Sequence, residues 1–246
     1  MCARPRFRDV LTHVRAVRPD IRDPSGALRE RRLIVDGVVV TRATALVRAD
    51  APVVIRKNRS LAGRRKLDAA LDASRIDVSG ATCLDLGAAA GGFTSALLRR
   101  GARRVYALDV GFGQLRGELR TDPRVCVLER TNLADAARHI PARERIDVLT
   151  ADLSFISLSD ALPQVRDLPF SPAASLLALV KPQFELRLDR LPTAALDLER
   201  SFAVACDGAS RAGWVPIAGM RSPVIGGRGA REFFLFASWA SAGAHE

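Results

Sequence analysis

From Thr82 onward, short apolar runs alternate with stretches whose apolar residues recur at helical spacing. The runs Thr82–Leu86, Arg104–Asp109, Val125–Glu129, Asp147–Ala151 and Ser175–Lys181 read as strands. With helices in the intervals, they predict a parallel sheet covered on both faces. Two more strand-like runs, Gly213–Met220 and Glu232–Trp239, are joined by the loop Ser222-Pro-Val-Ile-Gly-Gly-Arg-Gly229 without a helix between them. They predict an antiparallel pair that closes the sheet. The first 58 residues follow another pattern: a basic helical segment from about Arg6 to Val17, the loop Pro19–Pro24, a second helical piece, then strand-like Leu33–Val40 and Val53–Ile55. That is a small helix-then-hairpin module, too short for a large core of its own. The expected organisation is this module over residues 1–58, a basic linker and entering helix over 59–80, and an α/β domain over 81–246.

The first strand of the α/β domain runs into a glycine-rich turn, Cys83-Leu-Asp-Leu-Gly-Ala-Ala-Ala-Gly-Gly-Phe-Thr94. Gly87, Gly91 and Gly92 lack a β-carbon and allow backbone to approach a ligand closely. Unpaired N–H groups at the start of the next helix suit the same role. The next strand ends in Asp109, where doubly wound folds place a carboxylate that binds a ribose. The turn lacks the full G-x-G-x-x-G of dinucleotide sites, because Ala89 replaces the second glycine. It also lacks the Gly-Lys-Ser/Thr ending of a P-loop. Asp85, just before the turn, suits a ligand with a positively charged head such as S-adenosylmethionine. The plainer alternative is an ordinary βα turn.

Composition narrows the function classes. The formal net charge is +11 and the pI near 10.9, which favours a polyanionic partner such as nucleic acid. Arg56, Lys57, Arg59, Arg64, Arg65 and Lys66 crowd one stretch before the α/β domain, and the first five are the candidate RNA-binding residues. No apolar run approaches the ~20 residues of a membrane span, and no signal peptide is evident, so the expectation is a cytoplasmic protein with no membrane role. Cys2, Cys83, Cys126 and Cys206 form no C-x-x-C, and no metal site is expected. No G-x-S-x-G elbow is present, and no histidine lies near a plausible nucleophile.

Several blocks in order carry a resemblance: LDLGAAAGGFTSALLRRGA, VYALDVGFGQLRGELRTDPRV, LERTNL, ADLSFISL, LVKPQFE and SPVIGGRGAREFFL. Over residues 59–246 the chain resembles the TlyA, or hemolysin A-like, family of RNA 2′-O-methyltransferases, within the wider FtsJ-like group. The resemblance implies a class I, Rossmann-like S-adenosylmethionine-dependent methyltransferase with a mostly parallel seven-stranded sheet. It implies ribosomal RNA or ribosomal subunits as substrate, and a small RNA-binding domain before the enzyme. A catalytically idle RNA-binding or ribosome-assembly factor that keeps the fold is the alternative. Oligomeric state is not legible.

By the same resemblance, the catalytic tetrad of Lys, Asp, Lys and Glu falls on Lys66, Asp152, Lys181 and Glu232. A ribose 2′-hydroxyl must be aligned with the methyl donor and lose its proton, so one lysine serves as base. Lys181 is the candidate, with Asp152 and Glu232 orienting the two ammonium groups. Lys66 would promote proton loss from Lys181 or stabilise the developing alkoxide. Only Lys57, Lys66 and Lys181 are lysines among 38 basic residues; random placement would put lysine at both tetrad positions about once in two hundred times. The resemblance also puts Gly87, Gly91, Gly92 and Phe93 beside the methionine part of the cofactor, Asp109 on its ribose, and Asn132 and Leu133 near its adenine. Asn132 reads equally as a helix N-cap. Phe155 and Phe184 are candidates to stack on a displaced base or to pack in the core.

Overall fold

The seven strand-like runs beyond Thr82 do pair into one sheet in the computed structural model, which describes residues 6–21, 23–29, 32–55 and 60–240. The chain divides into two compact units, Met1–Arg59 and Ser60–Glu246.

In the first unit, β1 (Phe7–Asp9) leads directly into α1 (Val10–Val17), followed by α2 (Pro24–Arg29), β2 (Leu33–Val35), β3 (Val38–Val39), β4 (Leu46–Arg48) and β5 (Val53–Ile55). The helix expected from Arg6 therefore starts four residues later. Asp9 ends the strand and caps the helix, its Oδ1 accepting the Thr12 N–H at 2.9 Å. β1 pairs antiparallel with β4, and β2 lies between β3 and β5. Asp36 and Gly37 turn β2 into β3 with positive φ at both. Val10, Val14, Leu33, Val35 and Val53 form the small core. His13 is buried there and its Nε2 donates to the Ala51 carbonyl at 2.8 Å.

The second unit opens with α3 (Ser60–Ser74), then β6 (Thr82–Leu86), α4 (Gly92–Arg99), β7 (Arg104–Asp109), α5 (Gly117–Arg120), β8 (Val125–Glu129) and β9 (Ile146–Ala151). It continues with α6 (Leu158–Ala161), β10 (Phe170–Val180), α7 (Pro182–Glu185), α8 (Ala195–Arg211), β11 (Trp214–Arg221) and β12 (Phe233–Trp239). The sheet order is β11-β12-β10-β9-β6-β7-β8. Strands from β10 to β8 pair in parallel, and β12 runs antiparallel between β10 and β11. Two intervals expected to be helical hold only short pieces: α5 has four residues, and a six-residue 3-10 helix spans Leu133–Arg138 between β8 and β9.

Side chains alternate across each strand, so the sheet feeds two cores. Cys83, Val105, Leu177 and Phe234 pack with Leu67, Leu71 and Leu97 of α3 and α4. Leu84, Leu108, Leu149 and Leu176 pack on the other face with Ala205 and Ala209 of α8 and Trp214. Both faces are thus covered, which is why these strands read as almost unbroken apolar runs. Among the described residues no helix is long and apolar enough to cross a membrane.

Candidate active site

The chain leaves β6 for β7 and β8 on one side, then returns to place β9 on the other. A switch point of this kind opens a crevice at the carboxyl ends of the strands. Gly87 follows β6, Asp109 ends β7, Asp152 follows β9 and Lys181 follows β10, so all four reach that edge. Glu232 arrives there for a different reason. β12 is antiparallel to β10 and its register pairs Phe233 with Val180, which sets Glu232 beside the position of Lys181.

The four tetrad residues form two ion pairs. Lys66 Nζ on α3 donates to Glu232 Oε2 at 2.5 Å, and both side chains are nearly buried, at 9% and 5% exposure. Lys181 Nζ meets Asp152 Oδ1 at 2.7 Å and also donates to Ser154 Oγ at 3.0 Å, in a more open setting of 15% and 24% exposure. Gly226 covers the first pair: a β-carbon there would stand 2.3 Å from Glu232 Oε1.

Two cavities of about 510 Å³ each meet at Ser154 and Phe155. One is lined by Gly87, Ala89, Asp109, Gln114, Asn132, Leu133 and Asp152 among others. The second contains Lys181, Glu232, Phe184 and a rim of arginines. Asp152 and Lys181, joined to each other, therefore face different cavities. Lys66 is not among the residues that line either cavity, and reaches the second through Glu232.

The first cavity fits a nucleoside cofactor. Gly87 has φ +79°, and a β-carbon there would stand 2.7 Å from the Asp152 carbonyl, so the turn can pass only as glycine. Asp109 is held across the mouth by two amides, its Oδ2 accepting Ala89 N–H at 2.8 Å and its Oδ1 accepting Gly111 N–H at 2.6 Å. Ala89 itself has φ +45°, so the turn is strained where it faces the cavity.

Four expected cofactor residues lie away from that wall. Asp85 is fully buried, accepting from Thr94 Oγ1 at 2.7 Å and Thr150 Oγ1 at 3.0 Å, and so braces the turn from beneath. Burial pushes its carboxyl up to about 6, against the lowering effect of those two hydroxyls. A β-carbon on Gly91 would stand 2.1 Å from Leu119 Cδ1. One on Gly92 would stand 3.0 Å from Gly63 Cα of α3. Phe93 is buried, its ring 6.0 Å from that of Phe234. These three serve the packing of α3, α4 and α5.

Phe155 is 94% exposed and its ring lies 6.0 Å from that of Phe184. Exposure excludes core packing for Phe155, and its φ of +74° is a further strained position at the junction. Glu185 was not expected here. It is buried, accepts Leu158 N–H at 2.7 Å and Ser159 Oγ at 3.3 Å, and so ties the segment after Phe155 to the turn after Lys181. Burial raises its carboxyl above the ordinary value. Ser154 was also missed, although its position just beyond a strand end was the available signal. Of the expected RNA-binding residues, Arg64 and Arg65 lie on α3, half-buried and exposed respectively, while Arg56, Lys57 and Arg59 lie outside the described residues.

Residues 62–237 match the model of the FtsJ-like methyltransferases. The chain is 40% identical to the 16S/23S rRNA (cytidine-2′-O)-methyltransferase TlyA of Mycobacterium tuberculosis, over 82% of this chain and 78% of that protein. It is 32% identical to the 23S rRNA (cytidine-2′-O)-methyltransferase TlyA of Campylobacter jejuni, over 70% and 67%. The fold is shared with Aeropyrum pernix fibrillarin, solved with natively bound S-adenosyl-L-methionine, at TM-score 0.52 and 20% identity over 72% of this chain and 76% of that one.

Proposed function

The chain belongs to the FtsJ-like methyltransferase family, and from that premise we propose how its residues divide the methylation of ribosomal RNA between them. It is an S-adenosylmethionine-dependent RNA 2′-O-methyltransferase acting on ribosomal RNA. The observation that carries the division of labour is the Lys181–Asp152 pair standing where the two cavities meet.

Asp109 takes the cofactor ribose, Asn132 and Leu133 flank its base, and Gly87 leaves room for its amino-acid end. Bound there, the cofactor supplies a methyl group already activated on a sulfonium. Having released one ammonium proton to solvent, Lys181 as the neutral amine accepts the proton of the 2′-hydroxyl from the neighbouring cavity and becomes the ammonium that Asp152 balances. Asp152 and Ser154 fix its Nζ along two directions, so its lone pair is aimed rather than free to rotate. Lys66 holds Glu232 on the wall behind the reacting ribose. The exposed Phe155 and the half-buried Phe184 beside it offer an aromatic platform for the base of the target nucleotide. The basic run from Arg56 to Arg65 and the small first unit add phosphate contacts. Both relatives named above act on cytidine, and a cytidine is the target we expect.

Mapping ribose methylations in ribosomal RNA, free and in subunits, tests the reading. We expect at least one cytidine to gain a 2′-O-methyl group only when protein and S-adenosylmethionine are both present. No new methylation in RNA, subunits or ribosomes would overturn it.

A further inference from the structure

Three arginines on the rim of the Lys181 cavity have no part in the chemistry above. Arg190 follows α7, while Arg228 and Arg231 lie in the loop between β11 and β12. All three are exposed. Many surface arginines of this chain sit in ion pairs, including Arg48 with Asp50, Arg100 with Asp72, Arg124 with Asp122 and Arg187 with Asp160. Among the described residues no carboxylate lies within ion-pair distance of Arg190, Arg228 or Arg231. Of the charged groups in the same lining, Glu232 is engaged by Lys66 and Lys181 by Asp152, which leaves Asp189 against three guanidinium groups.

The backbone supplies a second observation. Arg228 has φ +57° inside Gly226-Gly-Arg-Gly229, a conformation that a β-carbon disfavours. Glycine would hold this turn at less cost, as Gly229 does at φ +86°. An arginine kept in such a position, on the rim of the reactive cavity, is consistent with a role for its side chain.

The chemistry of the substrate indicates what these groups meet. The 2′-hydroxyl stands on the carbon next to the one that carries the 3′-phosphodiester, and the 5′-phosphodiester is attached to the same sugar. A ribose whose 2′-oxygen reaches Lys181 therefore brings backbone phosphate to the cavity rim. Guanidinium forks match phosphate oxygens in geometry as well as charge. We propose that Arg190, Arg228 and Arg231 form a phosphate clamp that seats the RNA backbone on either side of the target ribose. The clamp rests on the RNA-methylation reading and is separate from the basic run that ends at Arg65.

The test uses the full chain and protein-free 16S and 23S ribosomal RNA as probes. Arg190→Gln, Arg228→Gln and Arg231→Gln are made singly and together, with Arg228→Gly as a variant that suits the backbone. RNA affinity is measured across a salt series, and S-adenosylmethionine affinity by calorimetry. Each lost phosphate contact should lower the slope of log affinity against log salt by about 0.7, so the triple variant should lose about 2. Arg228→Gly should lose as much slope as Arg228→Gln, and cofactor affinity should be unchanged throughout. A triple variant with the wild-type slope would overturn the clamp. Methyl transfer by the wild-type protein to the same RNA is scored separately: its absence would contradict the reaction, while the salt slope still decides the clamp.

Discussion

The two lysine–carboxylate pairs at the sheet edge share their chemistry and differ in their surroundings. Lys66 and Glu232 are closed off between α3, β12 and the Gly226 turn. Lys181 and Asp152 stand between two cavities, with Ser154 as a further partner. Removing charge from water is costly and is recovered only when both partners stay in place. The enclosed pair is thus suited to hold the wall, and the open pair, which solvent and substrate can reach, is suited to exchange a proton. Lysine in both places does not imply the same task in both.

Breaking each pair separately should expose the difference. Glu232→Gln leaves the Lys66 ammonium buried without its counter-charge and should destabilise the fold by about 3–5 kcal/mol. Asp152→Asn, in the open pair, should cost about 1 kcal/mol or less. Denaturant midpoints of the two variants measure this directly. Equal losses would mean that burial does not separate the pairs.

Asp85 extends the contrast, since it is a buried carboxylate with hydroxyl partners and, among the described residues, no cation in an ion pair with it. Its carboxyl lies at about 6 in the fold against an ordinary 3.8, so the folded chain holds this proton more tightly than the unfolded chain. Its contribution to stability therefore rises as pH falls from about 6 to about 4, and above 6 the cost of the buried charge is fully present. That difference is worth roughly 3 kcal/mol as an upper figure. Asp85→Asn should be relatively more stable than wild type at pH 8 than at pH 4, as read from denaturation at both. A pH-independent difference between the two proteins would contradict the assignment of a buried, titrating acid.

Much of the fold is legible in the sequence alone. The strand runs lie within a few residues of their observed places, because runs such as β6, β7 and β9 are short, apolar and bounded by turn residues; only β10 extends well beyond its expected start, to Phe170. The acids at strand ends point to the crevice for the same topological reason. Other features carry no such mark. The three residues of β1 merge into the periodicity of α1, and only the cap at Asp9 separates them. Gly91 and Gly92 look like ligand-approach glycines in sequence, yet a glycine that admits a neighbouring leucine or helix reads the same. Asp85 gives no sequence sign of Thr94 and Thr150, one of them 65 residues away. The arginines at the cavity rim are scattered in a chain already rich in arginine, so only their shared lining distinguishes them.

The central claim is that Lys181 exchanges the proton while Lys66 supports the wall, and one measurement reaches it most directly. Lys181→Arg and Lys66→Arg both keep the positive charge, but arginine stays protonated in proteins and cannot act as the base. Single-turnover methyl transfer at saturating RNA and cofactor separates chemistry from binding. The account predicts a fall of about 10²–10⁴-fold for Lys181→Arg, with cofactor binding retained, and a far smaller loss for Lys66→Arg. A near-wild-type rate in Lys181→Arg beside an inactive Lys66→Arg would contradict it.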